Sequence, residues 1–569
     1  MRWIPLILSL LVLRPSAPAG APIWPLGLES RYLTGNFMEP RGGRFHAGLD
    51  LKTNSRTGYP VLAVRDGWIS RLKTAAGGYG KAVYLRDDEG RTYVYAHLDR
   101  LRDDLRAHVR GEQARRGRYD LDLHLGPESF PVAAGEVLAL SGQSGTLGPH
   151  LHFEVRDPRG RPVDPQEHGF AVPDSLPPVL RLVRLVLPDG APIASLEHAD
   201  RCGLSGALPA ATVPELAEVR LQLVEHADHL RYRLWPRRVR LEVDGEVVFE
   251  AVNESLRWRN NRQQRLEFVD AGAGRELRLV PDPRVRLAGR RGRPGWPAAL
   301  AEGPHACRLE LRDHAGNRTV AHWTVTIDPS AAPDTTAWRP SDVGRRAPGL
   351  LRPEAIPAGD PEARIGDLHT PPDPAALAAA GLARLGRALE LRPVDGPLLA
   401  ARELTLAPSL LADRRPDEAG LGLYRIDPDG DWSWTAPIPA DGSAPTVRVG
   451  RAGAYVALRD DRPPFVGTDE VATGLDRRPA RRSHGIALSR WPIVRVPVDD
   501  AGSGIDWSSL RVTVAGRPHV AEPDPPRRRV LIELPDDLPP GRVPVTVTVS
   551  DRSGLTTHRS LDLRLRDGG

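Results

Sequence analysis

The stretch SGTLGPHLHFEVRD, residues 144–157, places two histidines one residue apart on what its alternating pattern predicts to be a β-strand. Side chains at positions i and i+2 of a strand point to the same face. His150, His152 and Glu154 therefore share one face, and the apolar residues that alternate with them are expected to face the core. Two interpretations are open from the pattern alone: a polar, half-exposed strand face, or two imidazoles directed at one metal ion or reaction centre.

Length and composition set the limits for the whole chain. With 569 residues the protein is too long for a single core, and three or four domains are expected. Its 55 glycines and 57 prolines favour short strands and many turns over long helices. The formal net charge is 78 − 73 = +5, but no dense basic stretch is interleaved with aromatic residues. Nucleic acid is therefore not a predicted partner.

The N-terminal residues 1–19 have the layout of a secretory signal peptide. An early arginine precedes an apolar run over residues 3–13, and small residues follow at Ala17-Pro18-Ala19. The run is too short to span a bilayer permanently, and no later segment approaches about 20 apolar residues. The sequence therefore predicts an exported protein of the periplasm, cell envelope or extracellular space, with no integral membrane segment after signal cleavage.

Residues 22–170 are dense in strand signals and are predicted to form the first domain. The segment YPVLAVRDGWISRL, residues 59–72, predicts a β-hairpin around an Asp-Gly turn. An insertion at about 99–130 interrupts the strand pattern, and its many arginines are largely offset by acidic residues. We expect a solvated arm with a short helix there, and the alternative is a segment that grips the substrate.

Two downstream regions, 174–329 and 461–566, resemble each other. They open with DSLPPV and DRPPFV, and each ends in two alternating strands joined by an Asp-x-x-Gly turn. Several short strands with regular turn signals predict immunoglobulin-like β-sandwich modules. Between them, 330–395 is predicted to be a Pro/Ala/Arg-rich linker with a helix in DPAALAAAGLARLGRALEL, and 396–460 to be a small β-rich module.

The two cysteines of the chain, Cys202 and Cys307, both lie in the first predicted sandwich. Two thiols without a spacing motif do not predict a cysteine-based metal site. An exported protein meets an oxidising environment, so the alternatives are a single disulfide or two buried free thiols.

Three separate stretches of the first domain supply four histidines and one aspartate. RFHAGLD contains His46 and Asp50, YVYAHL ends in His97, and GPHLHFE contains His150 and His152. Two or three imidazoles with one carboxylate fit a catalytic zinc site that keeps one position open for water.

The combination resembles the lysostaphin/LytM family of zinc metallopeptidases, which cut peptide bonds in bacterial peptidoglycan. The matching segments, within about residues 44–165, are HAGLD, GYPVLAVRDGWI, GGYGKAVYL, YVYAHL, AAGEVLALSGQSGTLGPHLHFEVRD and VDP. The resemblance implies a mainly β protein, with an N-terminal LytM-type antiparallel domain of barrel-sandwich hybrid type before the immunoglobulin-like modules. The insertion at about 99–130 is longer than in compact members of the family.

The resemblance also implies roles for the five residues. His46, Asp50 and His152 are expected to ligate one Zn²⁺ ion per chain, and His97 and His150 are expected to be catalytic. A histidine, whose ordinary pKa is about 6.5, is the natural candidate to deprotonate the attacking water. Which of the two histidines is the base stays open. So does Glu154, which is either a partner that orients a ligand or an ordinary strand carboxylate.

The predicted function is therefore a secreted zinc metalloendopeptidase that hydrolyses peptide cross-links of peptidoglycan. Two alternatives are kept. The protein could be a non-hydrolytic cell-wall-binding or regulatory envelope protein, or a zinc peptidase that acts on a secreted protein.

Overall fold

The structure is a computed structural model that describes most of the chain after residue 19. The predicted signal peptide and Cys202 lie outside the described residues. Every helix among the described residues is too short or too polar to cross a membrane. The described ranges are 20–188, 192–197, 205–228, 232–271, 274–331, 356–357, 363–368, 370–391, 401–412, 420–427, 430–439, 445–468 and 474–566.

The protein is mainly β, and its first domain is built around one antiparallel sheet. The strand His150–Arg156 lies inside this sheet, paired on both sides. Across the sheet the order is Leu33–Gly35, Leu49–Lys52, His150–Arg156, Thr92–Ala96, Ala82–Arg86, Gly67–Thr74 and Leu121–His124, with the short strands Pro131–Val132 and Pro162–Val163 attached to Gly67–Thr74 and His150–Arg156. A smaller sheet contains Pro60–Leu62, Val137–Ser141 and Leu98–Leu101, and Pro40–Arg41 pairs with Arg44–Phe45.

The predicted hairpin over residues 59–72 is wrong. Both strands exist, but Pro60–Leu62 pairs with Val137–Ser141 in the smaller sheet, whereas Gly67–Thr74 pairs with Ala82–Arg86 in the larger one. The Asp-Gly turn connects two sheets instead of two paired strands. Local turn chemistry specifies a reversal of the chain but not the partner of each strand.

The insertion is a packed element and not a solvated arm. A helix spans Asp103–Arg116, and the strand Leu121–His124 pairs with the edge of the large sheet. Leu105 and Val109, four residues apart, bury against the domain core. This apolar stripe is too narrow to stand out among the surrounding arginines, which explains why the sequence pattern indicated a solvated segment.

The second module is a sandwich of two sheets over a shared apolar core. Cys307 is a buried free thiol in it, and burial raises its pKa to about 12. One sheet has the order Pro192–Glu197, Val179–Val186, Glu218–Val224, Gly274–Arg278 and Phe268–Ala271. The other has the order Gly206–Ala207, Arg318–Ile327, Gly303–Arg312, Arg238–Val243, Glu246–Val252 and Arg290–Gly292, with Ala211–Val213 beside Arg318–Ile327; a one-turn helix spans Gln264–Glu267.

The middle module begins earlier than the sequence indicates. The predicted helix ends after Pro374–Ala380, because Gly381 adopts the left-handed conformation, and Leu382–Leu391 is a strand paired with Gly453–Asp460. Pairing with neighbouring strands here overrides the helix propensity of Leu, Ala and Arg. The main sheet has the order Ile356–Pro357, Ala363–Gly366, Leu382–Leu391, Gly453–Asp460, Leu421–Ile426 and Trp432–Pro437, and Arg402–Thr405 pairs with Thr446–Val449.

The C-terminal module is a second sandwich of two sheets. The closing hairpin predicted from the sequence is present, as Gly541–Asp551 paired with Thr556–Arg566. One sheet has the order Phe465–Val466, Val494–Asp499, Arg529–Ile532 and Glu522–Asp524, the other Gly474–Asp476, Thr556–Arg566, Gly541–Asp551, Ile505–Val514 and Arg517–His519, and Arg482–Ser483 pairs with Ile486–Ala487.

Candidate metal centre and active site

Strand register brings the first two predicted metal ligands together. Leu49–Lys52 and His150–Arg156 are antiparallel neighbours, and Asp50 lies directly opposite His152. Opposite residues on one sheet face have adjacent side chains. Asp50 Oδ1 is 2.9 Å from His152 Nδ1.

His46 completes a triangle with these two side chains. It follows the short strand Arg44–Phe45, and its Nε2 lies 3.0 Å from His152 Nδ1 and 3.1 Å from Asp50 Oδ1. The ligand atoms of a tetrahedral zinc ion, with bonds of about 2.0–2.1 Å, are about 3.3 Å apart. The three atoms of the observed triangle lie slightly closer together than the ligand atoms of such a zinc site.

The outer hydrogen bonds of both imidazoles fix which ring nitrogen carries the proton. His46 Nδ1 is 2.8 Å from the carbonyl oxygen of Asn36, and His152 Nε2 is 3.0 Å from Glu154 Oε1. Because these oxygens accept hydrogen bonds, each of those nitrogens is the donor when the ring is neutral. His46 Nε2, His152 Nδ1 and Asp50 Oδ1 then face one another with lone pairs only. The donor set fits a bound cation and matches the nitrogen and carboxylate ligands that zinc takes.

Glu154 is a partner of a predicted ligand and not an ordinary strand carboxylate. It is fully buried and contacts three polar side chains. Oε1 accepts from Tyr79 and His152, and Oε2 accepts from Arg156 Nε at 2.7 Å. Burial opposes its ionisation, but Arg156 and the hydrogen bonds from His152 and Tyr79 hold the pKa of Glu154 at about 2. The carboxylate orients His152 from outside the triangle, as such partners do in metal sites.

Asp50 is held on its other oxygen by Arg41, whose Nη2 lies 2.7 Å from Oδ2. Burial disfavours the carboxylate, yet His46 and His152 outweigh burial and keep the pKa of Asp50 well below its usual range. For His152, burial is likewise outweighed by hydrogen bonds to Asp50 and Glu154, which raise its pKa to about 9. The centre therefore retains a negative carboxylate and attracts positive charge, as a proton or as a metal ion.

The two predicted catalytic histidines lie beside the triangle. The rings of His97 and His150 are 4.7 Å apart between centroids, and His150 Nε2 is 3.6 Å from Asp50 Oδ1. Burial, strengthened by the neighbouring imidazoles, lowers the pKa of His97 to about 3, and burial also lowers the pKa of His150. Both rings are therefore neutral near pH 7 and can accept a proton.

One loop, residues 143–149, orients both of these histidines. The carbonyl oxygens of Ser144 and Gly148 accept hydrogen bonds of 2.9 Å from Nδ1 of His97 and of His150. Nε2 of each ring is thereby left unprotonated. His97 also adopts a left-handed backbone conformation, with φ of 60°, which is uncommon for a residue other than glycine and is typical of functional sites.

Residues outside the first domain hold both halves of the site. The backbone carbonyl oxygen of Asn36 orients His46, and the side-chain amide of Asn36 makes two hydrogen bonds to the backbone of Trp235, at 2.7 and 3.0 Å. On the other side, Arg527 Nη2 donates to the carbonyl oxygens of Thr146 and Leu147 in the 143–149 loop, at 3.2 and 2.6 Å.

All five predicted site residues lie together, and sequence reasoning missed several that support them. Arg156 follows the alternation of His152 and Glu154, so the period of two could have placed it on the same face. No local signal marks Asn36 or Arg527, because their partners are 199 and 380 positions away.

The first domain is similar in sequence to several known proteins. The model of peptidase family M23 matches residues 44–117. Over 132 residues the chain is 33% identical to the DD-carboxypeptidase/endopeptidase Mpg of Neisseria meningitidis serogroup B, covering 23% of this chain and 24% of that protein. It is 28% identical over 150 residues to the murein hydrolase activator NlpD of Salmonella typhimurium, covering 26% of this chain and 32% of that protein. The chain spans about a quarter of the length of the first of these curated relatives.

Among solved structures, the catalytic domain of the prophage-encoded M23 protein EnpA from Enterococcus faecalis is similar to the chain. The identity is 26%, the TM-score is 0.19, and the match covers 26% of this chain and 97% of that one.

Proposed function

The first domain of this chain belongs to the LytM-type peptidases of family M23, and on this basis we propose that the protein is an exported zinc metalloendopeptidase that hydrolyses peptide cross-links of bacterial peptidoglycan. The observation that carries the proposal is the triangle of three close ligand atoms from His46, Asp50 and His152, with two neutral histidines beside it. A protein that only bound cell wall would have no need for this combination.

In this proposal His46, Asp50 and His152 hold one Zn²⁺ ion. When bound, the ion supplies a Lewis acid and lowers the pKa of a coordinated water to about 7. His97 and His150 offer Nε2 as proton acceptors, since Nδ1 of each ring is committed to a carbonyl oxygen of the 143–149 loop. One accepts the proton of the attacking water at Nε2 and later gives it to the leaving amine, and the imidazolium present between these two steps stabilises negative charge on the cleaved carbonyl group.

Export is part of the proposal. It rests on the signal-like residues 1–19, and it agrees with a relative in Pseudomonas aeruginosa that is named a lipoprotein, 29% identical over 145 residues. Peptidoglycan as substrate agrees with the names of the relatives, one an endopeptidase and another a murein hydrolase activator.

Digestion of purified peptidoglycan tests the proposal. We expect the zinc-loaded protein to release cross-link peptides that mass spectrometry identifies, and a chelator to stop the release until zinc is restored. An unstructured protein should be cleaved far more slowly than the wall material. Equal cleavage of both would favour the secreted-protein substrate.

The second candidate, a non-hydrolytic regulatory protein, is favoured by the similarity to the murein hydrolase activator. It predicts that the zinc-loaded protein releases no peptides from peptidoglycan by itself. In that case the protein should accelerate release when a separate murein hydrolase is added.

A further inference from the structure

Three aspartates outside the candidate active site converge where the middle module meets the C-terminal module. Asp460 ends the strand Gly453–Asp460 of the middle module, Asp500 follows the strand Val494–Asp499, and Asp551 ends Gly541–Asp551. One carboxylate oxygen of each lies within 4.8 Å of the others. Asp460 and Asp551 are buried, so this is not an exposed acidic patch.

The cluster has no positive partner among the described residues. Next to it, Asp461 pairs with Arg459 at 2.7 Å, but no arginine or lysine among the described residues forms an ion pair with any of the three aspartates. Asp460 Oδ2 accepts the backbone N–H of Ser503 at 2.7 Å, which is a neutral donor. Buried carboxylates are normally paired with a cation or coordinate a metal.

One oxygen of the cluster has no partner at all. Asp551 is 2% exposed, and its Oδ1 accepts from Ser553 Oγ at 2.7 Å and from the backbone N–H of Leu555 at 3.0 Å. Its Oδ2 is buried without a hydrogen bond. The hydroxyl of fully buried Tyr424 also has no partner, and burial together with the charges of these same aspartates raises its pKa.

In the other sandwich, both carboxylate oxygens of the corresponding turn accept hydrogen bonds from neutral groups of the protein. Its Asp-x-x-Gly turn begins at Asp313, whose Oδ1 accepts backbone N–H groups and whose Oδ2 accepts from Asn317 Nδ2 at 2.8 Å. The residue four positions after Asp551 is Leu555, which has no donor in its side chain. At this position the C-terminal module thus lacks a neutral side-chain donor that could hydrogen-bond to Asp551 Oδ2.

We propose that Asp460, Asp500 and Asp551 bind one Ca²⁺ ion that ties the middle module to the C-terminal module. The ligands are all hard oxygen atoms without a histidine or cysteine, which favours calcium over zinc. Gly502 leaves room for the close approach of Asp460, because a Cβ there would lie 2.5 Å from Asp460 Oδ2. The site does not depend on the proposed peptidase activity.

Calorimetric titration tests the site in the full-length mature protein. The active site is first loaded with one equivalent of zinc, and CaCl₂ is then added in chelator-treated buffer. We expect one equivalent of Ca²⁺ to bind with a Kd on the order of 10⁻⁴ M, as in other extracellular modules. Asp551→Asn and Asp500→Asn should weaken binding at least about tenfold, because each removes a charge that the ion requires. The matched control is Asp562→Asn, an exposed aspartate of the same module that should bind Ca²⁺ like the wild type.

Thermal unfolding distinguishes loss of the site from a failure to fold. Without Ca²⁺, Asp551→Asn should unfold at the same temperature as the wild type or higher, because it removes repulsion between buried carboxylates. With Ca²⁺ at about 5 mM, the midpoint should rise by about 5 °C in the wild type and stay constant in the variant. An equal rise in both proteins, or no Ca²⁺ binding by the wild type, would overturn the proposal. Equal binding of MgCl₂ would overturn the assignment to calcium.

Discussion

Each imidazole of the candidate site is held by a hydrogen bond at one ring nitrogen, which leaves the other nitrogen free for a metal ion or a proton. The acceptor is a backbone carbonyl oxygen in three cases and a buried carboxylate in the fourth. The position of the free nitrogen separates the predicted ligands from the predicted catalysts. In the two predicted ligands, His152 and His46, it lies 2.9 and 3.1 Å from Asp50 Oδ1. The four pairs are His46 with Asn36, His152 with Glu154, His97 with Ser144, and His150 with Gly148.

The first prediction concerns Asp50. Asp50→Ala removes the only carboxylate of the triangle and leaves two facing imidazole nitrogens, so zinc content and peptidoglycan hydrolysis should both be lost. Zinc measured by atomic absorption after dialysis, together with fragment release, checks the prediction. Asp122→Ala, which breaks an exposed ion pair with Arg71, should retain both. Full zinc content in Asp50→Ala would show that the ligand set is wrong.

The second prediction separates chemistry from metal binding. His97→Ala and His150→Ala should keep zinc and reduce kcat by roughly 10²–10⁴-fold, the contribution of general acid–base catalysis. Zinc loss equal to that of His152→Ala would contradict the division of roles.

The pH dependence of activity follows from the same two residues. Burial lowers the pKa of His97 to about 3 and lowers that of His150, so each titrates below the ordinary histidine pKa of about 6.5. Protonation of these histidines should therefore give an acid limb of kcat/KM below pH 6.5, separate from ionisation of the zinc-bound water near pH 7. A limb at pH 6.5 that disappears in His97→Ala would contradict this environment.

The third prediction concerns Glu154. Glu154→Gln keeps the shape of the side chain but removes the charge that orients His152 and raises its basicity. Zinc affinity should fall by about 10–100-fold, the usual effect of losing such a partner, as measured by competition with a zinc chelator. Glu89→Gln, which alters an exposed ion pair with Arg91, should leave the affinity unchanged. Equal zinc affinities of Glu154→Gln and the wild type would support the alternative interpretation, in which Glu154 is an ordinary strand carboxylate.

At the scale of elements, the 143–149 loop connects the two predicted catalytic histidines to the C-terminal module. It carries the carbonyl oxygens that orient His97 and His150, and two further carbonyl oxygens, of Thr146 and Leu147, accept from Arg527. Leu147 itself is 74% exposed, so apolar packing does not fix the loop. Among the described residues, Arg527 is the side chain outside the first domain that hydrogen-bonds to this loop.

The fourth prediction follows from this contact. Arg527→Ala should lower kcat about tenfold while zinc content stays constant, because small misplacements of catalytic groups are costly. The matched control is Arg528→Ala, the neighbouring residue, whose largely exposed side chain pairs with Asp499. Steady-state kinetics on soluble peptidoglycan fragments measures both. An Arg527→Ala variant as active as Arg528→Ala would show that the loop needs no support.

The correct predictions rest on residues that are close together in sequence, whereas the missed features depend on residues that are far apart. The alternation around His150 and His152, and the His-x3-Asp spacing of His46 and Asp50, are local patterns that fold geometry preserves. The hairpin over 59–72 and the helix through 382–391 were wrong, because strand pairing with distant segments decided both. The supports of the site, such as Asn36 against Trp235, join positions far apart in sequence, which no local pattern shows.

At the scale of the whole molecule, two other modules contact the first domain at its candidate site. Phe37, Met38 and Phe45, which flank His46, are buried in the apolar core of the second module. The segment that carries the predicted metal ligand His46 is therefore folded against another module, and its position depends on that module. The β-sandwich is therefore part of the support of the candidate site.

One carboxylate of the C-terminal module contacts three arginines of the insertion helix Asp103–Arg116 and of the preceding strand Leu98–Leu101. Glu533 Oε1 lies 2.8 Å from Arg100 Nη2 and 2.7 Å from Arg106 Nη2, and Oε2 contacts Arg110. Arg482 and Asp103 add an ion pair of 2.6 Å. Burial opposes ionisation of Glu533, but the three arginines outweigh it and lower its pKa to about 2.

The last prediction concerns this docking. Because the pKa of Glu533 falls from about 4.3 in a free chain to about 2 when docked, its stabilisation is fully present above pH 4.3. It is lost as the pH falls through 2. At neutral pH, Glu533→Gln removes the same charge and leaves three arginines facing one another, so the C-terminal module should detach from the helix. Small-angle scattering should then show a larger radius of gyration for Glu533→Gln than for the wild type, and an unchanged one for the exposed neighbour Asp537→Asn. Detachment also releases Arg527 from the 143–149 loop, so kcat of Glu533→Gln should fall by the same factor as in Arg527→Ala. Detachment with unchanged kcat would show that the module stabilises the protein without supporting catalysis.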